Sequence, residues 1–408
     1  MRVYSTTVTA LIVFFLYSGI FDFVRASGVA SSNFSAIYGA IFLISLPLIS
    51  RRLQVAFYPL LAWLFCYLAL VAGGLSRVEN PSVSVPYALA RLAWVLAVLG
   101  CLLIFSYKGN LDIAVTCIVS LSICMSILSC IQFFYPSLLS TQSGRATGLY
   151  SNPNSNGIAL VLGMSVAASK VPERYRIFYR LLIGAGVLAT FSRSSILAWL
   201  LVMIIESREV YRGLLRPPYA LIASACMVLI AISVFWTPSV IAPLSSRVES
   251  YNLTSRIQFF TSGNLDNNSI RVRQEIAKSA FNEFEKSPFL GRGTGSVLAD
   301  PILNQAGGTH NIYLEGALDY GMLGMLLYFL LPISAVIRTQ RRYLETAAAF
   351  SLAFLALGWF SQNGIYHSYF LVTLAIAACL VNAPSQKCKN RSDRHKPFRL
   401  KRLRGSVQ

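Results

Sequence analysis

His310 is the side chain of this sequence whose position best suits acid–base chemistry. It follows the flexible residues 307–309 and precedes Asn311 and a long apolar run in GGTHNIYLEGALDYGMLGMLLYFLL. An imidazole titrates near neutral pH and can accept a proton from a hydroxyl group. A histidine at the start of a predicted membrane helix therefore indicates a general base, with a structural histidine as the alternative. The other two histidines, His367 and His395, lie in a short loop and in a basic tail.

Two arginines in polar segments form the second group of candidates. Arg145 lies in SGRATGLYSNPNSNGIAL, where Asn154 adds a side-chain amide, and Arg193 interrupts two apolar runs in ATFSRSSILAWL. A guanidinium group is always charged and matches phosphate oxygens with two parallel hydrogen bonds. A helix N-terminus beside Arg193 would add free backbone N–H groups. These segments predict an anion site, and interfacial arginines without a ligand are the alternative.

A third polar segment, RVRQEIAKSAFNEFEKSPFLGRGTGS, begins with Arg271 and Arg273. Four of its apolar side chains share one helical face: Ile276, Ala280, Phe281 and Phe284. This spacing predicts an amphipathic helix that lies on the membrane or on the helical bundle. The glycine-rich GRGTGS lacks the lysine spacing of a phosphate loop and follows no strand, so the sequence does not predict nucleotide binding.

Long apolar runs must position these polar segments. Of the 408 residues, 55% are hydrophobic and 12% are charged, and the charged share of a soluble domain is about 25%. Runs of roughly 17–25 nearly uncharged residues match a helix that crosses a bilayer. The sequence predicts an all-α polytopic membrane protein with about twelve transmembrane helices. The predicted spans are residues 6–24, 33–49, 55–73, 86–106, 112–135, 155–169, 177–191, 194–206, 217–236, 311–337, 344–361 and 365–383.

The basic residues of the loops predict the orientation of these spans. With both termini in the cytoplasm, every inner loop carries Lys or Arg and the short outer loops carry few, as the positive-inside rule requires. Residues 1–383 then form a single integral membrane domain, within which residues 237–310 are a large extracytoplasmic loop. Residues 384–408 form a basic cytoplasmic tail. The candidate residues on the outer face are Arg145, Arg193, Arg271, Arg273 and His310.

The net charge of +19 does not indicate a nucleic-acid-binding protein. Nine Lys/Arg and one acid fall in the C-terminal stretch QKCKNRSDRHKPFRLKRLRGSVQ, and such a stretch anchors topology and attracts anionic lipids. The sequence contains no HExxH, GxSxG or DxD motif, and the first outer loop, RASGVASSN, has no acid. The sequence therefore predicts neither a metal ion nor another cofactor.

Three blocks of the sequence resemble the bacterial O-antigen ligase and polymerase superfamily. RATGLYSNPNSNGIAL is similar to the family's Arg-x-x-Gly-x-x-x-x-Pro-Asn block, and the second block is FSRSS at a predicted helix start. The third is RQEIAKSAFNEFEKSPFLGRGTGS followed by HNIYLEGALDYGMLG. Its end fits the ligase spacing of His-Asn, nine residues, Gly, two residues, Gly, here at His310, Asn311, Gly321 and Gly324.

This resemblance implies a metal-independent inverting glycosyltransferase in the bacterial inner membrane. Its donor would be a glycan carried on undecaprenyl diphosphate, and its acceptor would be a sugar hydroxyl of lipid A-core or of another lipid-linked glycan, reached from the periplasm among membrane lipids. Arg145 and Arg193 would hold the diphosphate, and His310 would act as base on the acceptor hydroxyl. Asn154 and Asn311 would add hydrogen bonds to the substrate.

The loop block departs from the family at one position. The family usually has a tryptophan where this chain has Ala277. The alignment of this block with the family therefore allows a small shift along the chain. The further diphosphate-binding arginine is therefore Arg273 or Arg271. The paired glycines, Gly321 and Gly324, are expected to permit close helix packing.

O-antigen ligation to lipid A-core is the favoured reaction, and polymerisation of O-antigen or exopolysaccharide repeat units is the alternative. A protein O-oligosaccharyltransferase is a third enzymatic possibility, although no large extra outer domain follows the last span. A transporter or flippase of lipid-linked sugars is the alternative from another class. It predicts ionisable residues inside several helices along a path, whereas these residues are rare in the middle of the predicted spans.

Overall fold

The structure of the protein is a computed structural model that describes residues 2–28, 34–48, 55–78, 81–107, 109–135, 138–139, 145–213, 268–300, 303, 308–359 and 365–382. Every regular element among these residues is helical, and none is a strand. The predicted all-α class is therefore confirmed for this part of the chain.

The described residues form fourteen α-helices. In chain order they are α1 (Arg2–Tyr17), α2 (Ile20–Ala26), α3 (Phe34–Ser45), α4 (Tyr58–Leu75), α5 (Pro81–Phe105), α6 (Asn110–Phe134), α7 (Pro153–Ala167), α8 (Glu173–Ala189), α9 (Arg193–Gly213), α10 (Asn268–Glu285), α11 (Ser296–Ala299), α12 (Ile312–Val336), α13 (Leu344–Trp359) and α14 (Ser368–Asn382).

Four of the described helices, α4, α5, α6 and α12, are long and apolar enough to cross a membrane. The bent pair α1–α2 would make a fifth span. Helices lie at eleven of the twelve predicted spans, but most of the others are too short to satisfy this test. The count of twelve therefore stays a prediction. The ninth predicted span, residues 217–236, lies outside the described residues, as do residues 237–267 of the predicted loop and the tail 384–408.

Helices α7 and α14 lie at the centre of the bundle. Asn154 is the one residue of α7 that is not buried, and every side chain described in α14 is buried. Both helices are apolar around their whole circumference, as expected for a helix enclosed by others. Polar side chains lie directly before both helices, Asn152 before α7 and His367 before α14, and these two entry segments form part of the candidate site.

The first predicted span is broken between α1 and α2, which meet at 48°. Gly19 at the break has φ 77°, a left-handed conformation that glycine adopts without steric cost. A Cβ at this position would lie 2.9 Å from the ring of Tyr150. The Tyr150 hydroxyl donates a hydrogen bond to the carbonyl of Tyr17, so the break packs directly on the segment that precedes α7.

Helix α12 is also broken, at Gly321, where φ is 70° and ψ is −159°. The predicted continuous span 311–337 is therefore wrong in this detail. Residues 288–293 lie against the break and pair with backbone hydrogen-bonding groups that a continuous helix would pair internally. Its bonds are Arg292 N to Leu318 O at 2.8 Å, Gly293 N to Asp319 O at 3.0 Å, and Met322 N to Pro288 O at 2.8 Å.

The two halves of α12 fold toward each other across this break. A Cβ on Gly324 would collide with the carbonyl oxygen of Gly316, eight residues earlier, although eight residues of straight helix span about 12 Å. This approach is the close packing predicted for Gly324. Residues 312–320 are consequently a short helical segment of their own, which begins directly after His310 and Asn311.

Helix α10 places its apolar face on the bundle. Ile276 and Ala280 are buried in a cluster with Val297 and Leu318, and Phe284 packs against this cluster. Phe281, the fourth residue of the predicted face, is 52% exposed. Of the two predicted surfaces for this helix, the bundle is thus the one that most of the face contacts.

Candidate functional site

Arg145 joins two of the three predicted polar segments. Its Nε donates a hydrogen bond to the carbonyl of Thr190 at 2.9 Å, and its Nη2 donates to Asn154 Oδ1 at 2.8 Å. The neighbouring Ala146 N–H donates to the carbonyl of Ala189 at 3.1 Å. The end of α8 and the start of α7 therefore meet at this guanidinium, and its charge has a fixed position. We name residues 145–152 the Arg145 corner.

Local hydrogen bonds define the shape of the Arg145 corner. Asn152 caps α7 by accepting a hydrogen bond from Asn154 N at 2.8 Å, and Pro153 follows at the first helical position, as helix starts favour. Gly148 has φ 60°. Its N–H donates to Gln132 Oε1 at 2.8 Å, and its carbonyl accepts from Gln132 Nε2 at 2.9 Å. The sequence therefore builds a rigid corner, as its glycines and asparagines predict.

Arg193 begins α9 next to a group of hydroxyls. Ser192 N donates to Thr190 Oγ1 at 3.2 Å, and Ser195 Oγ donates to Ser192 Oγ at 3.0 Å. Phe191 turns the chain into α9 with φ 51°. The first N–H groups of a long helix carry partial positive charge and suit an anion. Because the carbonyl of Thr190 accepts a hydrogen bond from Arg145, the start of α9 lies beside the Arg145 corner.

His310 occupies a strained backbone position immediately before α12. It is half-buried and has φ 56°, a conformation that is uncommon for residues other than glycine. On its two sides, Thr309 Oγ1 donates to the carbonyl of Asn311 at 2.7 Å, and Asn311 Oδ1 accepts from Tyr313 N at 2.9 Å and Leu314 N at 3.2 Å. The Asn311 oxygen is thus a helix cap, and the backbone that carries His310 is fixed on both sides.

A buried ion pair that no motif of the sequence predicted holds the start of α12 against α5. Arg91, 1% exposed, donates from Nη2 to Glu315 Oε1 at 2.7 Å, and the Tyr87 hydroxyl donates to the same oxygen at 2.6 Å. The guanidinium also lies over the rings of Tyr87 and Tyr366. An arginine in the middle of an apolar run is the signal that could have revealed this pair.

Aromatic contacts connect this ion pair to the Arg145 corner. Arg91 lies over the ring of Tyr366, and Tyr369, three residues further along the chain, packs edge-on against Tyr150 at 5.6 Å between ring centroids. Tyr150 belongs to the same corner as Arg145. The start of α12 and the Arg145 corner therefore lie at the same end of the bundle, as the predicted topology requires. That this end faces the periplasm stays a prediction.

Arg271 and Arg273 lie in the first turns of α10, whose backbone is described. Their side chains lie outside the described part of the structure. The choice between the two arginines, and their contact with a diphosphate, therefore stay predictions.

A second buried ion pair lies away from the end of the bundle that contains the Arg145 corner. Arg180 of α8 and Glu206 of α9 are 2.7 Å apart, and their side chains are 5% and 6% exposed. The expectation that ionisable residues are rare inside the spans thus needs correction at this pair and at the pair of Arg91 and Glu315. Both pairs are charge-neutral, and each joins two helices, which fits a structural role.

His367 precedes α14 at the same end of the bundle as the Arg145 corner. Its ring stacks on Tyr369 with centroids 5.1 Å apart, and its Nδ1 lies 4.0 Å from Asp22 Oδ2. Burial, and after it the positive charge of Arg25, lower the pKa of His367 to about 4. The imidazole is therefore neutral at neutral pH, and it is a poorer proton acceptor than an ordinary histidine.

We expect the lowered pKa of His367 to make folding stability depend on pH. An unfolded histidine titrates near pH 6.5, so between about pH 6.5 and 4 the unfolded state binds a proton that the folded state does not. The contribution of His367 to the free energy of unfolding then falls as the pH drops through this window and is constant above it. Thermal unfolding of the purified protein from pH 8 to 4.5 measures this slope.

The variant His367→Gln should reduce this pH slope, and His395→Gln, in the basic tail, is the matched control with an unchanged slope. An equal slope in His367→Gln and in the unaltered protein would contradict the assignment.

The fold and the site together define a class of protein. It is a helical membrane protein in which one end of the helical bundle carries arginines and a histidine. A family model described as O-Antigen ligase matches residues 178–329. The match supports the O-antigen ligase and polymerase superfamily, as the resemblance predicted. It includes Arg193, His310 and the helices between them, and it begins after Arg145. No curated protein and no solved structure matches the chain.

This family and the apolar helices indicate a multi-pass protein of the inner membrane. The family also indicates a glycosyl-transferring enzyme of O-antigen processing, of the ligase or the polymerase kind.

Proposed function

We propose that the protein transfers a polysaccharide from undecaprenyl diphosphate to an acceptor sugar hydroxyl at the periplasmic face, and that the reaction is ligation of O-antigen to lipid A-core. The observation that carries the proposal is the joining of Arg145 to the start of α9, at the same end of the bundle as His310. Both termini would lie in the cytoplasm, as the basic loops and tail predict.

The diphosphate would bind at the corner that Arg145 and Arg193 share. A diphosphate leaving group gains negative charge as the glycosidic bond breaks, and fixed positive groups stabilise this charge without reorganising. Asn154 holds the Arg145 guanidinium, so its proposed role is to position that arginine as well as to meet the substrate. Arg273 or Arg271 would add a further positive group, and this arrangement does not require a metal ion.

His310 would act on the acceptor. Its imidazole accepts the proton of the acceptor hydroxyl while the hydroxyl oxygen forms a bond to the anomeric carbon of the donor. The bond between that carbon and the diphosphate oxygen breaks, and undecaprenyl diphosphate leaves with the electron pair. Attack from the side opposite the leaving group inverts the anomeric configuration. Asn311 fixes the helix start with its side-chain oxygen, and its amide N–H groups are proposed to support the acceptor.

Deletion of the gene in its host tests ligation against polymerisation. We expect lipid A-core to lose all attached O-antigen chains on a polysaccharide gel, with chains accumulating on the lipid carrier. A single repeat unit retained on the core would contradict ligation and support a polymerase. If the lipid-linked glycan instead stays on the cytoplasmic side in the deletion strain, this result would support the transporter or flippase alternative.

Arg145→Lys tests whether the guanidinium geometry matters. Lysine keeps the charge, but it lacks the planar guanidinium that donates to Thr190 O and Asn154 Oδ1 from two nitrogens. We expect glycan transfer to fall by roughly 10- to 100-fold, on the scale of one or two charge-assisted hydrogen bonds, with protein levels little changed. Transfer assays in membrane preparations measure this change. Arg174→Lys, on α8 away from the corner, is the control, and equal activity of both variants would contradict the proposed role.

A further inference from the structure

Glu315, five residues after His310, has a carboxylate that is fixed through one of its two oxygens. Both hydrogen bonds described for this side chain, from Tyr87 and Arg91, end on Oε1. The side chain keeps 14% of its surface exposed. Oε2 is therefore the atom of this carboxylate that is open to a ligand.

Arg91 fixes the orientation of this carboxylate. The guanidinium is 1% exposed, and within the described part of the structure its Nε and Nη1 are buried without a hydrogen-bond partner. Such a buried cation is costly unless an opposite charge lies beside it. Glu315 is that partner, and the rings of Tyr87 and Tyr366 enclose the remaining surface of the guanidinium. The position of Glu315 is thus set by residues of α5 and of the segment before α14.

The backbone places this carboxylate on the same helix face as Asn311. Glu315 N donates to the carbonyl of Asn311 at 3.0 Å, and residues four apart in a helix lie one above the other. His310 is the residue before Asn311. The short segment 312–320, separated from the rest of α12 by Gly321, carries Glu315 and begins directly after His310 and Asn311. The three residues therefore belong to one helix start.

We propose that Glu315 Oε2 accepts a hydrogen bond from a hydroxyl of the acceptor sugar and so holds that sugar beside His310. The proposal rests on the proposed glycan transfer and names the acceptor-binding group of the same site. A carboxylate that accepts from a hydroxyl makes a short, charge-assisted hydrogen bond. A site built to bind a hydroxyl in this way discriminates strongly when the bond is lost. Glu315 contributes to binding the acceptor and does not contact the diphosphate.

The test uses the full-length purified enzyme with an undecaprenyl-diphosphate-linked glycan and lipid A-core, each titrated separately. Glu315→Gln alone leaves Arg91 as an unpaired buried charge, so the double variant Arg91→Met/Glu315→Gln removes both charges together. We expect its KM for the acceptor to rise by roughly 10- to 100-fold, with the KM for the donor unchanged. Glu315→Asp, which keeps the charge but shortens the side chain, should show the same selective rise.

The double variant Arg180→Met/Glu206→Gln is the matched control, because it removes the other buried ion pair at a distance from this helix start. It should keep both KM values. Unchanged acceptor KM values in both Glu315 variants would overturn the role of Glu315, whereas the proposed function would stand. If the unaltered enzyme transfers no glycan, the proposed function itself fails, and the inference fails with it.

Discussion

Replacing His310 with alanine is expected to abolish glycan transfer while the protein accumulates normally in the membrane. A positioned general base contributes about 10²- to 10⁴-fold to a rate, and alanine cannot accept the hydroxyl proton. The backbone at His310 is anchored by its neighbours Thr309 and Asn311, so the loss of the imidazole should not unfold the helix start. Envelope polysaccharide on a gel and protein level by immunoblot measure the two effects.

His395→Ala is the control for this variant, because it removes a histidine of the predicted cytoplasmic tail. It should leave the polysaccharide ladder unchanged. A normal ladder in His310→Ala at normal protein level would contradict the catalytic role and would favour a structural histidine.

Gly321→Ala is expected to destabilise the protein strongly. Its φ of 70° and ψ of −159° lie in a region that is essentially confined to glycine, and they cost about 1–3 kcal/mol for a residue with a Cβ. The added Cβ would also lie 2.7 Å from Leu290 N and closer still to the carbonyl group of Phe289, and both are backbone atoms with little room to move. The bond from Met322 N to Pro288 O would be lost with this contact. We expect a total loss of several kcal/mol, visible as poor accumulation and a lower unfolding temperature.

Gly39→Ala is the matched control, because a Cβ there meets nothing within 4 Å and Gly39 lies inside α3. Alanine should be neutral or stabilising in such a helix, by up to about 1 kcal/mol. Equal unfolding temperatures for Gly321→Ala and Gly39→Ala would contradict the described break in α12.

The helical class followed from the sequence because long uncharged runs leave few alternatives in a bilayer. The breaks at Gly19 and Gly321 did not follow, since glycine is also frequent in unbroken membrane helices and hydropathy does not report φ. At Gly321 the break depends on residues 288–293, which are adjacent only in three dimensions. Apolar periodicity indicated the face of α10, but it could not decide between the membrane and the bundle.

The sequence placed Arg145 and Arg193 on one face, and the structure joins their segments through Thr190. The sequence could not reveal that Asn154 holds Arg145 or that Asn311 caps α12, because both amides are equally suited to bind a substrate. Arg91 and Glu315 were missed for a different reason. Each looks like an isolated charge near an apolar run, and only the packing of α5 against α12 makes them a pair.

The central claim is most directly tested by reconstituting the purified protein in liposomes with an undecaprenyl-diphosphate-linked O-antigen and lipid A-core. After incubation with a metal chelator, mass spectrometry should detect O-antigen on the core, and NMR should show the new linkage with inverted anomeric configuration. Undecaprenyl diphosphate should be released in equal amount, and His310→Ala should give neither product. Release of the carrier without core-linked glycan, or movement of the intact donor across the bilayer with no new linkage, would contradict the account.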